Sequence, residues 1–244
     1  MQPTFLIIGA SSGIGFHICS ALAGASESHV IGSSRVLEKV AKLHQNPQFE
    51  PAQCDVTDEN SVKQLFESLA ARSLKLSGIV NCAGSVLLKP SHLTSLAEFD
   101  ATLTINLTSC FLLLKYGIPM MAPEGGSFLF FSTAALAAGV PNHDAICAAK
   151  SGVEGLTRAA AGTYASKNIR VNAIAPGLVK TPLTARIHGN PNAAQASAAM
   201  HALGRLGEPA DVASLAVWLL SPAAAGMTGQ VITIDGGLGL KTKA

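Results

Sequence analysis

Short apolar runs alternate with longer amphipathic stretches along almost the whole chain. Seven runs read as strands: Thr4–Ile8, His29–Ser33, Phe49–Cys54, Gly78–Cys82, Ser127–Ser132, Ile169–Ala175 and Gln230–Asp235. Most lack polar alternation, as expected of parallel strands covered on both faces. The stretches 14–24, 36–44, 59–72, 97–121, 143–166 and 211–221 carry helical spacing. Strand followed by helix, repeated, predicts an α/β fold with one doubly wound parallel sheet. No internal repeat, linker or low-complexity tract divides it, so a single domain over 1–244 is expected. One irregular stretch, 182–205, is rich in Ala, Asn and His and is expected to form a substrate lid.

Of the 244 residues 48% are hydrophobic and only 13% charged, against about 25% charged in an ordinary globular chain. That deficit predicts a large core and further apolar surface buried between subunits. With 17 basic and 15 acidic residues and a net charge of +2, the chain has no electrostatic footprint for nucleic acid or an anionic membrane. No uninterrupted apolar run approaches the ~20 residues of a bilayer span. Met1-Gln2-Pro3-Thr4 lacks the basic start of a signal peptide, and Lys241-Thr242-Lys243-Ala244 is no peroxisomal address. Cys19, Cys54, Cys82, Cys110 and Cys147 are dispersed without metal-ligand spacing, which favours free thiols and a cytoplasmic location.

Gly9-Ala10-Ser11-Ser12-Gly13-Ile14-Gly15 follows the first strand and opens the first helix. Glycines there permit a tight turn and close backbone approach to a phosphate, with the helix N-terminus facing the anion. Further along stand Asp55-Val56, Asn81-Cys82-Ala83-Gly84, Asn106, Lys150, Arg170-Val171-Asn172, Pro176-Gly177 and Asp235-Gly236-Gly237. In this order and spacing the set resembles the short-chain dehydrogenase/reductase family over nearly the whole chain. The resemblance implies a Rossmann-like fold and a homotetramer with twofold axes. It also implies that Gly9, Ser11, Ser12, Gly13, Ile14 and Gly15 hold the phosphates of a nicotinamide dinucleotide. Asp55 and Val56 would meet its adenine, Asn81, Ala83 and Gly84 its ribose and nicotinamide side. Lys150 would take the ribose hydroxyls, and Pro176, Gly177, Val179 and Thr181 would flank the nicotinamide.

Cofactor choice is legible after the second strand. A site for NAD needs a carboxylate there to accept from the ribose 2′-hydroxyl. Here the run is Ser33-Ser34-Arg35, with Ser34 at the acidic position. Two hydroxyls and a guanidinium suit a 2′-phosphate through charge-assisted hydrogen bonds, so NADP(H) is expected.

The resemblance also implies an Asn–Ser–Tyr–Lys catalytic group, its Tyr one helical turn before the Lys. Four residues before Lys150 stands Ile146, which can neither ionise nor donate. The serine position holds Thr133, with Ser132 beside it; Asn106 and Lys150 remain. Losing a positioned acid costs roughly 10² to 10⁴ in rate. His143 and Asp144 lie close by in sequence; helix capping would also place them there. Three readings stay open: reduction of an imine, iminium or activated carbonyl, with Asp144 facing the cation; carbonyl reduction with a displaced donor such as His143 or Thr133; or a non-redox isomerase, cyclase or ligand sensor. Expected pocket residues (Ser85, Val86, Leu87, Thr133, Ala134, His143, Leu178, Val179, Leu183, Ile187 and Met200) are mostly apolar, which suits a hydrophobic metabolite.

Overall fold

The computed structural model describes residues 2–24, 27–41 and 46–240. Seven parallel strands form one sheet: β1 (Thr4–Ile8), β2 (His29–Ser34), β3 (Phe49–Gln53), β4 (Gly78–Asn81), β5 (Gly126–Phe131), β6 (Ile169–Pro176) and β7 (Val231–Ile234), in the order β3-β2-β1-β4-β5-β6-β7. The strands match the expected bounds to within a residue. The apolar runs are continuous because both faces of the sheet are covered. On β1, Phe5 and Ile7 pack with Ile18, Ala216 and Leu219, from α1 (Gly13–Gly24) and α10 (Pro209–Leu220). Leu6 and Ile8 pack on the other face with Leu69, Leu113 and Val153, from α3 (Glu59–Ala71), α5 (Ser109–Gly117) and α7 (Asp144–Tyr164). α2 (Leu37–Ala41) is shorter than the stretch 36–44 suggested, and residues 42–45 lie outside those described. The C-terminal Lys241-Thr242-Lys243-Ala244 lies outside them too.

Sheet order reverses at β1, whose Ile8 pairs with Ser33 of β2 on one side and Asn81 of β4 on the other. The crevice beyond these strand ends is where a doubly wound sheet holds ligands.

Two stretches differ from the sequence expectation. The helix over 97–121 is interrupted: α4 (Leu96–Leu103) passes through a π turn, Thr104–Thr108, into α5, and a 3₁₀ turn with Pro119 ends the run. By length and composition the 25-residue run Leu96–Met120 is apolar enough to cross a membrane. In this fold Thr102, Asn106, Leu112, Leu113 and Leu114 are buried against the protein's own interior.

The second difference lies in 182–205, which is largely helical. α8 (Ala185–His188) and α9 (Pro191–Met200) follow α6 (Ala135–Ala138) and α7 in chain order. The Asn190 side chain accepts from Asn192 N (3.0 Å) and Ala193 N (3.1 Å), and Pro191 occupies the first helical position. No residue of α8 or α9 is buried.

Candidate active site

The turn after β1 is fixed by backbone contact. Gly9 and Ala10 N–H groups both donate to Ser33 O, at 2.9 Å each. Gly9 has φ +78°, and a Cβ there would lie 2.9 Å from Ala83 N. At Gly15 a Cβ would come within 2.3 Å of Gly9 O, so α1 starts hard against the turn. The first N–H groups of a helix have no acceptor within it, and here they open onto the crevice as an anion cradle. Across the cleft, a Cβ on Gly13 would meet the Thr181 side chain at 3.2 Å. Ile14 and Thr181 both line the cavity described below, while Ser11 and Ser12 sit in the turn itself.

At the far end of the crevice, Arg35 is exposed and its guanidinium makes no hydrogen bond or ion pair with any described residue. Ser34 is buried, with its hydroxyl in a local turn: Oγ accepts from Val36 N (3.1 Å) and donates to Val36 O (3.0 Å). Burial pushes the Asp55 carboxyl up, but hydrogen bonds from Thr57 and the charge of Arg35 outweigh it and hold the pKa below the ordinary range. Val56 beside it is buried. Asn81 is a clamp at the end of β4: its Nδ2 donates to Ser109 Oγ (2.9 Å) and its Oδ1 accepts from Ala83 N (3.2 Å).

Beyond the ends of β4, β5 and β6 lies a cavity of about 260 Å³. Leu183, Ile187 and Met200 form its outer side; Ser85, Val86, Leu178 and Val179 line it as expected, but Leu87 and Ala134 do not. Asn106, placed in the π turn, holds one wall: its Nδ2 donates to Thr102 O (3.0 Å) and Ser85 Oγ (3.2 Å). A Cβ on Gly84 would come to 3.0 Å from Asn106 Oδ1. Ala83, Gly84, Pro176, Gly177, Val179 and Thr181 all face this space.

Lys150 projects into the cavity from α7. It is only 9% exposed, and its ammonium has no hydrogen bond or ion pair among the described residues. Burial pulls its pKa below the ordinary lysine value. Ile146, 4% exposed, lines the same wall. Thr133 faces the cavity, its oxygen accepting from Ala135 N at 3.2 Å. Ser132 is engaged elsewhere, donating to Glu154 Oε1 at 2.8 Å. Half-buried His143 lines the cavity with Nδ1 2.8 Å from Pro141 O. Because a carbonyl can only accept, Nδ1 carries the hydrogen of that bond.

Asp144 does not belong to this group. Its carboxylate turns outward and accepts from Ser91 N (2.8 Å) and Ser91 Oγ (2.5 Å), tying the start of α7 to the 3₁₀ turn Ser91–Leu93. The side chain caps a neighbouring turn and faces no electrophile in the cavity. Conversely, sequence reasoning read His201 as a polar residue of the lid stretch with no part in the site, yet it is 4% exposed and lines the cavity beneath α9. Its loop-like, Ala-rich neighbourhood gave no apolar period; the Asn190-Pro191 helix start was the available signal.

A family model described as enoyl-(acyl carrier protein) reductase matches residues 9–239. A solved short-chain type dehydrogenase/reductase from Mycobacterium ulcerans superposes with a TM-score of 0.91 at 31% identity, covering 98% of this chain and 90% of that one. The chain belongs to the short-chain dehydrogenase/reductase family. Among curated relatives, the cis-4-hydroxycyclohexanecarboxylate dehydrogenase of Sinomonas cyclohexanicum is 36% identical over 237 residues, 95% of this chain and 94% of its own. The structure of ElxO with NADP bound superposes with a TM-score of 0.90 at 28% identity, covering 98% of this chain and 99% of that one. Short-chain dehydrogenases/reductases are oxidoreductases that use nicotinamide nucleotides, and the glycine cradle, free guanidinium and buried lysine of this member fit such a group.

The outward turn of Asp144 gives a pH-dependent expectation. Hydrogen bonds from the Ser91 side chain and backbone hold its carboxyl below the usual value near 3.8. A depressed folded-state pKa stabilises above the unfolded value and is lost as pH falls through and below it. Asp144→Asn should therefore lower the melting temperature at pH 7 and narrow the gap to wild type near pH 3. Nucleotide affinity, read by fluorescence titration, should stay unchanged.

Proposed function

We propose that this chain is an NADP(H)-dependent oxidoreductase of atypical mechanism, acting on a carbonyl or alcohol of a compact, largely apolar metabolite. The carrying observation is Lys150 beside Ile146 in one apolar cavity, where the family places a lysine beside a phenol. The glycine turn 9–15 would hold the pyrophosphate, Arg35 the 2′-phosphate, Asp55 and Val56 the adenine, and Lys150 the ribose hydroxyls. Asn81 supports this reading by shaping the end of β4. When bound, the nicotinamide supplies or accepts the reducing equivalent. A ring substrate suits the cavity's size, and a relative named for a 4-hydroxycyclohexanecarboxylate substrate supports a six-membered ring.

A ketone oxygen reduced in this cavity needs a proton that Ile146 cannot give. With Nδ1–H committed to Pro141 O, the Nε2 of His143 is the ring atom left to carry one. Thr133, whose oxygen accepts from Ala135 N–H, keeps its own hydrogen for the substrate oxygen. Asn106 fixes the wall on which both act. Among the described residues no carboxylate lines the cavity, whereas Lys150 does. A cationic iminium would find no counter-charge there, so the geometry favours an activated carbonyl. The missing phenol also fits a non-redox isomerase, cyclase or ligand sensor, whose signature is substrate conversion without NADPH consumption.

Residues 182–205 act as the lid in this reading, and the five cysteines, all free, suit a reducing cytoplasm. Exposed apolar side chains, among them Leu96 of α4, Phe111 of α5 and Trp218 of α10, leave apolar surface for the subunit contacts of a homotetramer. Light scattering should give four times the chain mass at micromolar concentration; a monomer would remove this part of the proposal.

Two substitutions test the site. Arg35→Ala should weaken NADPH binding about tenfold or more, the worth of a charge-assisted contact, and leave NADH unchanged. Equal calorimetric affinities of the wild type for the two nucleotides would defeat the phosphate assignment. Ile146→Tyr should raise NADPH-dependent reduction of simple cyclic ketones by up to ~10²-fold. Wild-type turnover of such ketones at that raised rate would show that a displaced donor already does the phenol's work. The larger ring can overpack the wall, so melting temperatures of both proteins are compared alongside the rates.

A further inference from the structure

His201 stands at the C-terminal end of α9 with both ring nitrogens engaged. Nδ1 lies 2.7 Å from Ser197 O, and Nε2 lies 3.3 Å from Leu178 N. The carbonyl accepts and the amide donates, so the ring is neutral with its hydrogen on Nδ1. The same stretch grips Leu178 a second time: Leu178 O accepts from Gly207 N, and Lys180 N donates to Gly207 O, each at 2.9 Å. The ring is also a wedge, since a Cβ on Gly177 would come to 2.7 Å from Nε2.

The ring therefore touches the lid helix on one side and the Gly177–Leu178 wall on the other. It also forms part of a second cavity of about 250 Å³ behind that wall. The charged groups there are already partnered: Arg205 with Asp211 at 2.7 Å, and Asp235 with the N–H groups of Gly237 and Gly239. On the first cavity's side stand Lys150 and His143. Among the described residues no carboxylate is left to draw the ring from Leu178. The lid has no buried residue of its own in α8 or α9. A buried neutral imidazole thus ties α9 to the wall that the proposed nicotinamide would face, while Thr184 Oγ1 donating to Val179 O (2.5 Å) and His188 Nε2 at 3.0 Å from Thr181 O hold the start of the lid.

We propose that His201 is a positioning residue that couples the lid to the Gly177–Leu178 segment, so that the two open and close as one unit. Its effect on nucleotide binding rests on the function proposed above; the coupling itself is a property of the free protein.

Hydrogen-exchange mass spectrometry on wild type, His201→Leu and His201→Gln tests it, with and without NADPH. Leucine fills the space but cannot accept from Leu178 N–H; glutamine keeps an accepting oxygen at similar reach. In free His201→Leu, exchange over 176–184 and over 191–200 should rise together by about tenfold, the loss expected of one buried hydrogen bond. Free His201→Gln should return 176–184 to near the wild-type rate. NADPH affinity, read by fluorescence, should fall about tenfold in the leucine variant and recover with glutamine. If the leucine variant does not fold, the wild type and the glutamine variant still decide: NADPH should slow both segments with one midpoint in each. Segments that respond separately, or a leucine variant with wild-type exchange over 176–184, would overturn the coupling. If wild type does not bind NADPH at all, the nucleotide reading falls, while exchange in the free proteins still decides the role of His201.

Discussion

Two stretches of backbone meet at Gly9 and Gly15 with no room for a side chain between them. A methyl group on Gly15 would lie 2.3 Å from Gly9 O, well inside any tolerated contact. This approach seats α1 directly on the end of β1 and points its unpaired N–H groups into the crevice. Gly9 in turn presses on the Cys82–Ala83 peptide at the end of β4, so the neighbouring strand end is held by the same contact. Asn81 locks that end to Ser109, next to the π turn that presents Asn106 to the cavity. Cradle, strand end and cavity wall thus share one chain of contacts, backbone packing at the glycines and a side-chain hydrogen bond at Asn81.

The electrostatics of the cavity follow from one substitution of kind. A buried ammonium is costly unless it is paired. Where a phenol would share its proton with the lysine, Ile146 offers only hydrocarbon. Glu154, one turn further along α7, is held by Ser132 and Arg158. Burial is the largest influence on Lys150 and pulls its pKa below the ordinary lysine value. On the function proposed above, carbonyl chemistry here would draw on peripheral donors, His143 and Thr133, in place of a central one.

The strands were legible because burial on both faces leaves an unbroken apolar run. The turn 9–15 was legible because glycines at fixed offsets mark a close backbone approach, and a Cβ at Gly9 or Gly15 would indeed clash there. The cavity wall was harder. Asp144 and His143 are adjacent in sequence, yet the helix start turns one carboxylate out to Ser91 and leaves the imidazole facing inward. Sequence spacing does not determine that choice; the position of the 3₁₀ turn Ser91–Leu93, more than fifty residues earlier, does. His201 was hidden for a related reason: α9 contributes no buried side chain, so its sequence carries no apolar stripe.

That bareness of α8 and α9 separates two demands that most elements must meet together. The strands and α1, α5, α7 and α10 carry the core, so their sequences answer first to packing. Residues 182–205 contribute almost nothing to the core and contact the cavity through Leu183, Ile187, Ser197 and Met200. Changes at these positions can reshape what the cavity admits while leaving the folding free energy nearly untouched. A new substrate preference can therefore arise in this scaffold by drift within a single short segment, with no compensating change in the sheet.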